Sequence, residues 1–177
     1  MKSGFVNIFG RPNAGKSTLL NALIGEKMAI VSPKVQTTRH RIKAFLNKPG
    51  EYQVIFSDTP GIIDPKYKLH EKMMSFVKGA LEDADIALLL VDLSDDWQAS
   101  DEIFQSLRLK VPAVVVLNKA DRISKAKLEQ AESFFRARPY CKTLVSISAL
   151  QQANLDQLLE AILKLLPEGD PFYSEED

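Results

Sequence analysis

Short runs of apolar residues alternate with segments of helical spacing along most of the chain. Phe5-Val6-Asn7-Ile8-Phe9, Val54-Ile55-Phe56-Ser57, Ala87-Leu88-Leu89-Leu90-Val91, Val114-Val115-Val116-Leu117 and Leu144-Val145-Ser146-Ile147 are near-continuous apolar stretches, as strands buried on both faces of a parallel sheet must be. Between them, Leu19, Leu20, Leu23 and Ile24 recur at helical spacing and are closed by Gly25. Later, Leu155, Leu158, Leu159, Ile162, Leu165 and Leu166 do the same. Such alternation predicts a doubly wound α/β domain with helices on both sides of the sheet, a three-layer sandwich. One region departs from it. Arg41 to Leu46 and Tyr52 to Phe56 are joined by the polar turn Asn47-Lys48-Pro49-Gly50-Glu51, which predicts a hairpin and so a mostly parallel sheet with one antiparallel edge strand. Pro167-Glu168-Gly169-Asp170-Pro171 stops the last helix, so the folded unit is expected over 1–166. Residues 167–177, ending in Glu175-Glu176-Asp177, read as a linker or tail.

Composition narrows the class. With 177 residues, 45% of them hydrophobic and 26% charged, the chain fits one globular domain able to build its own core, and disorder is excluded. Lys plus Arg equals Asp plus Glu at 23 each, so no global basic field draws a polyanion and any such contact must be local. The single cysteine, Cys141, has no partner in the chain and reads as a small buried hydrophobe. The N-terminus lacks the long apolar stretch of a signal peptide. The longest apolar run, Ile86 to Val91, is far short of the roughly 20 residues of a membrane span, so a chain that does not cross a membrane is expected.

The strongest chemical signal is Gly10-Arg11-Pro12-Asn13-Ala14-Gly15-Lys16-Ser17, which matches G-x-x-x-x-G-K-S/T between a predicted strand and a predicted helix. Such a loop wraps backbone N–H groups around phosphates at a helix N-terminus. Asn13, Ala14, Gly15 and Thr18 are thus expected in the phosphate site, with Lys16 facing the outer phosphates and the Ser17 hydroxyl on Mg²⁺. Asp58-Thr59-Pro60-Gly61 follows the strand Val54 to Phe56. Its carboxylate suits an outer-sphere Mg²⁺ partner, and the Gly61 N–H suits a terminal phosphate. Asn118-Lys119-Ala120-Asp121 selects the base. Asp121 can accept from guanine N1–H and its 2-amino group, whereas adenine offers neither donor. Asn118 can tie this loop to the phosphate loop, and the Lys119 stem can lie along the base with its ammonium in water. The same segment could instead cap a helix beginning near Lys125, through Asp121 or Ser124. Ser148-Ala149 follows the strand Leu144 to Ile147 and can bring a backbone N–H to guanine O6.

These four motifs, in this order, resemble the translation-factor-like P-loop GTPases, and Val35-Gln36-Thr37-Thr38-Arg39-His40-Arg41 narrows the resemblance to the Era family of bacterial Ras-like GTPases. The resemblance covers essentially the whole chain. It implies that Thr38 coordinates Mg²⁺ in the GTP state. It also implies that Leu165-Leu166-Pro167-Glu168-Gly169 and Phe172-Tyr173 mark a junction toward a C-terminal KH domain, which this chain lacks. Implied with it are slow GTP hydrolysis, a role with small-subunit ribosomal RNA and subunit assembly, a cytoplasmic location and peripheral membrane association. One departure is Ala153, where many relatives carry glycine. Ras-type enzymes orient the attacking water with a glutamine after Asp-x-x-Gly, and here that position is Ile62, which cannot hydrogen-bond. Backbone groups, a cation or a partner must place the water. Ile62 also keeps open a GTP-gated binding module with negligible hydrolysis. Asn13 beside the phosphates suits a K⁺ ligand, and several relatives with asparagine there behave so; it can equally hold the loop by local hydrogen bonds.

Other residues read as structure first. His40 and His70 are far apart in sequence and have no His or Cys cluster beside them, which argues against a metal pair. Lys34, Arg39, Arg41, Lys43 and Lys48 form a basic stretch that suits a solvated loop and edge strand, with local RNA contact as the alternative. Met73, Met74, Phe76 and Val77 suit the buried stripe of a helix. Trp97 fits either a partner anchor or the start of a helix.

Overall fold

The computed structural model describes residues 1–11, 14–25, 28–29, 41–58 and 83–172. Its strands are β1 (Lys2–Gly10), β2 (Met28–Ala29), β3 (Arg41–Lys48), β4 (Tyr52–Asp58), β5 (Ile86–Asp92), β6 (Ala113–Asn118) and β7 (Cys141–Ser146). The helices are α1 (Lys16–Ile24), α2 (Trp97–Ser106), α3 (Lys125–Arg136) and α4 (Leu155–Leu165). The strands form one sheet in the order β2-β3-β4-β1-β5-β6-β7. β1, β4, β5, β6 and β7 run parallel, whereas β3 pairs antiparallel with β4 as the hairpin turn requires. The two residues of β2 pair with the outer side of β3.

The apolar strand runs have a two-sided explanation. Ile86, Leu88 and Leu90 of β5 and Val114 and Val116 of β6 face one core with Leu19, Leu20 and Leu23 of α1 and Leu158 and Ile162 of α4. Their neighbours Ala87, Leu89, Val91, Val115 and Leu117 face a second core with Phe104 of α2 and Ala131 and Phe135 of α3. Period-two alternation is therefore hidden inside fully apolar sequence, because both faces are covered. β7 starts three residues before its apolar run. It pairs only with β6, so Cys141, Lys142 and Thr143 need no full burial. Cys141 is half-buried, and burial pushes its thiol up, which suits an inert side chain.

A polar knot fixes the second core. The Tyr140 hydroxyl donates to Asp101 Oδ1 at 2.6 Å, and Arg138 lies 3.8 Å from Asp101 Oδ2. Burial, then the carboxylate it donates to, pushes the Tyr140 phenol well above its usual range. At the N-terminal end of β1, the residues after α4 fold back onto the sheet. Ser3 N donates to Pro167 O at 3.1 Å, Gly169 N to Met1 O at 2.8 Å, and Phe172 N to Gln53 Oε1 at 2.9 Å. Phe172 packs edge-on to Phe5 with ring centres 5.0 Å apart. Among the described residues no helix is long and apolar enough to cross a membrane.

Candidate nucleotide site

β1 is the strand at which the sheet order reverses: the chain passes from β1 toward β4 on one side and later to β5 on the other. Ligands in such sheets bind beyond the carboxyl ends of the strands at that point. All four sequence motifs lie at those ends. The phosphate-loop motif follows β1, Asp58 ends β4, Asn118 ends β6, and Ser148 comes two residues after β7.

Gly15 is the N-cap of α1 with φ +101°, a backbone state that side chains resist, and α1 has no side-chain cap. Its first N–H groups are thus available to an anion. Gly15 is required for a second reason. A Cβ there would lie 2.6 Å from Asn118 Nδ2. Asn118, 3% exposed, uses its amide as a three-way clamp: Nδ2 donates to Ala14 O at 2.9 Å, while Oδ1 accepts from Lys119 N at 2.8 Å and from Ala149 N at 3.0 Å. Three loops distant in sequence meet on one side chain. The tie expected between Asn118 and the phosphate loop is present, and the contact to Ala149 goes beyond it.

Lys16 Nζ donates to Asp58 Oδ1 at 2.8 Å, with both side chains largely covered. Ser17 is exposed at the same place, and Ile8, Lys16, Ser17, Leu20 and Asp58 line a cavity of about 80 Å³. A hydroxyl and a carboxylate around a small space form an oxygen donor set of the kind Mg²⁺ takes, so the residues fit the ion. No group of three or more His, Cys, Asp or Glu side chains among the described residues makes another metal centre. A second cavity, of about 170 Å³, is lined by Gly15, Thr18, Asn118, Lys119, Asp121, Arg122, Ser148 and Leu150. It joins the phosphate loop to the predicted base loops. A larger cavity of about 560 Å³, between the end of α1 and the start of α4, carries no motif residue.

The helix-capping alternative for the Asn118 segment resolves on one atom. Ser124 Oγ accepts from Lys127 N at 3.2 Å and caps α3. Asp121 is left exposed on the cavity. Trp97 starts a helix, directly after the Asp96 N-cap of α2. Ala153 is not a left-handed position; Gln152 at φ +55° and Asn154 at φ +64° take that strain. Ala153 exchanges backbone hydrogen bonds with Ser148, which steadies the base loop without a glycine.

One expectation, the solvated ammonium of Lys119, is overturned. The Lys119 ammonium does not sit in water: it donates to Asp92 Oδ2 at 2.7 Å, and that carboxylate is 9% exposed. The sequence could have flagged Asp92 only as a carboxylate ending an apolar strand, as Asp58 does. Burial works against this carboxylate, but the Lys119 ammonium and the Ser94 hydroxyl and N–H outweigh it and hold its carboxyl below the usual range. The N–H groups of Ser148 and Ala149 are not idle either. Ser148 N donates to Ala153 O at 3.3 Å, and Ala149 N donates to Asn118 Oδ1 at 3.0 Å. Asn13, Thr38, Gly61 and Ile62 lie outside the described residues, as do His40, His70, Lys34, Arg39 and the stripe Met73 to Val77; so do the side chains of Arg41 and Lys43. Lys48 is exposed and pairs with Glu51 at 2.7 Å.

A phosphate loop tied by one asparagine to two later strand-end loops, with a strand-end carboxylate on the phosphate-loop lysine, makes this a P-loop GTPase-type domain. The chain belongs to the family described as 50S ribosome-binding GTPase, whose profile matches residues 5–119. It is similar to GTPase Era of Aquifex aeolicus, at 46% identity over 183 aligned residues that cover 99% of this chain and 61% of the relative. Among solved structures it is similar to a variant of Aquifex aeolicus Era bound to GDP and AlF4⁻, with TM-score 0.76 and 41% identity. It is also similar to Era in complex with MgGDPNP and nucleotides 1506–1542 of 16S ribosomal RNA, with TM-score 0.76 and 43% identity. Both structures cover all of this chain, which accounts for 61% of each. The Era-family resemblance read from the motifs therefore holds, and the chain spans about three-fifths of its relatives' length.

Proposed function

We propose that the chain binds GTP and GDP with Mg²⁺ and hydrolyses GTP slowly to GDP and phosphate, as the nucleotide switch of a protein acting in small ribosomal subunit assembly. The clamp at Asn118 carries this reading, because it holds a phosphate-binding helix end and a guanine-selective carboxylate at opposite ends of one groove. Similarity to relatives crystallised with GDP and AlF4⁻, and with MgGDPNP and 16S ribosomal RNA, supports it.

The chain's residues divide the work. Backbone N–H groups at the start of α1, with Ala14, Gly15 and Thr18 around them, hold the phosphates. Lys16 turns its charge from Asp58 to the outer phosphates, where positive charge counts most as the bridge to the leaving group breaks. Bound Mg²⁺, held by Ser17 and Thr38 with Asp58 in its outer sphere, would supply further neutralisation of the phosphate oxygens. Gly61 N–H reports the terminal phosphate to the segment after β4. Asp121 takes the two guanine donors, Lys119 lies along the ring, and the Ser148-Ala149 backbone addresses O6. With Ile62 in place of a glutamine, the attacking water is placed by backbone, by K⁺ ligated through Asn13, or by a partner.

Ile62 also favours a second reading, a GTP-gated module with negligible hydrolysis. Single-turnover hydrolysis by this chain at saturating Mg²⁺, compared in K⁺ and Na⁺ buffers, separates the two: phosphate release faster than the uncatalysed background supports the enzyme, and its absence beside tight GTP binding supports the module. Residues 1–166, with 167–172 packed back on them, act as the G domain, and the chain beyond leads toward a KH domain that clamps RNA. Contact with the small subunit runs through that domain. Cytoplasmic location with peripheral attachment to the inner membrane face follows from the family resemblance, and sedimentation with anionic vesicles tests the attachment.

A further inference from the structure

The loop after β5 belongs to none of the four motifs, yet it reaches two of them. Asp92 ends β5 in register with Asn118, and Leu93 N donates to Asn118 O at 3.2 Å. Asp92 uses both carboxylate oxygens: Oδ2 takes the Lys119 ammonium at 2.7 Å, and Oδ1 takes the Ser94 N–H at 2.8 Å and hydroxyl at 2.5 Å. Three residues on, Asp95 pairs with Arg11, the first residue after β1, at 3.0 Å. One short loop thus holds a cation from the base side and a cation from the phosphate side.

The arrangement at Lys119 is unusual for a lysine. Its backbone is fixed in the left-handed region at φ +66°, its N–H is bound to Asn118 Oδ1, and its ammonium is anchored on a nearly buried carboxylate. A lysine stem normally samples many rotamers, and ordering it on binding is costly. Here both ends are tied before any ligand arrives, and the residue lines the cavity that Asp121 and Ser148 share. We propose that Asp92 is a positioning residue for the base pocket: through the Lys119 ammonium it holds the lysine stem as a preformed apolar wall for the guanine ring, and so sets how long the nucleotide stays bound. This rests on reading Asn118 to Asp121 as the base loop. Because the ammonium is neutralised by Asp92 rather than by the nucleotide, the contact with the ring is one of packing.

The competing account is an ion pair that stabilises the fold and nothing else. Dissociation of N-methylanthraniloyl-GDP, followed by stopped flow, distinguishes them. Asp92→Asn keeps the shape and removes the anchor; the expected result is dissociation faster by about tenfold, with association within about twofold of the parent, since affinity differences between related complexes lie mainly in the off-rate. Lys119→Met keeps an apolar stem without the charge, and adding it to Asp92→Asn should cost no more than Asp92→Asn alone, as coupled residues behave. An unchanged off-rate in Asp92→Asn, or additive losses in the double variant, would overturn the proposal, whatever the melting temperatures. If Asp92→Asn does not fold, Ser94→Ala carries the test. It removes one hydrogen bond to Asp92 from an exposed residue, and dissociation about threefold faster is expected, as loss of one hydrogen bond implies; no change overturns the proposal. Failure of the base-loop reading looks different, because Asp121→Asn would then leave GTP affinity intact.

Discussion

Asn118 shows how much one buried amide can decide. Its three hydrogen bonds join segments 104 and 31 residues away. Replacing it with alanine strands the Ala14 carbonyl and two N–H groups, and since each buried polar group left unpaired costs about 1–3 kcal/mol, Asn118→Ala should destabilise the domain by roughly 3 kcal/mol in urea unfolding. Guanine-nucleotide affinity should fall with it. Gly15→Ala attacks the same joint from the other side. Left-handed backbone costs a side-chain-bearing residue about 1–2 kcal/mol, and the new Cβ would meet the Asn118 amide at 2.6 Å. GDP titration should therefore find affinity lower by about tenfold or more, the equivalent of 1.4 kcal/mol. Tyr140 yields a pH prediction. Its phenol is harder to ionise folded than unfolded, so its contribution is fully present below about pH 10, the unfolded value, and is lost as pH rises above it. Tyr140→Phe should lose about 1 kcal/mol at pH 7 with its hydrogen bond. It should also show a shallower loss of stability above about pH 10 in urea unfolding.

Among elements, the buried strands were the most legible in the sequence, because burial on both faces writes them as unbroken apolar runs. The β3–β4 hairpin was legible through its Pro-Gly turn, and α4 through its strong apolar stripe. Helix α2 is legible only as one of two readings of Trp97. Its single fully buried large residue, Phe104, gives too short a stripe, and the Asp96 cap looks like one more polar loop residue. The sequence shows only the inner part of edge strand β7 for a related reason: where one side is open, the sequence need not be apolar. In the site, the residue types and their strands could be read, since backbone loops that bind phosphate impose their own glycines. The partners of charged tips could not, because Asp92 and Lys119 come together only through strand register. The segment after α4 reads as a linker or tail, yet Pro167, Gly169 and Phe172 hydrogen-bond to Ser3 N, Met1 O and the Gln53 side chain. Gln53→Leu removes the acceptor for Phe172 N–H. Hydrogen exchange at Phe172 and Gly169 should then accelerate while the β1 amides stay protected; unchanged exchange at Phe172 would mean that the side-chain contact does not hold the segment.

At the scale of the whole molecule, zero net charge limits what the chain does alone. No two of its eight glycines have the G-x-x-G spacing of a KH clamp. Fluorescence anisotropy with the 3′ end of small-subunit ribosomal RNA at physiological salt should find only weak, salt-sensitive binding in the GTP state; submicromolar, sequence-dependent binding would place RNA reading inside this domain. The groove beyond the carboxyl ends of the strands is where the account stands or falls, and base selection by Asp121 is its most exposed point. The direct measurement is competition of GTP, XTP and ATP for the parent chain and for Asp121→Asn. The parent should prefer GTP. The variant exchanges one acceptor for a donor, so it should lose GTP affinity by roughly two orders of magnitude, as the loss of a charged bidentate contact implies, and should favour XTP, whose 2-position carries an oxygen. GTP bound equally well by both, or ATP bound as tightly as GTP by the parent, would contradict the assignment of this groove to a guanine nucleotide.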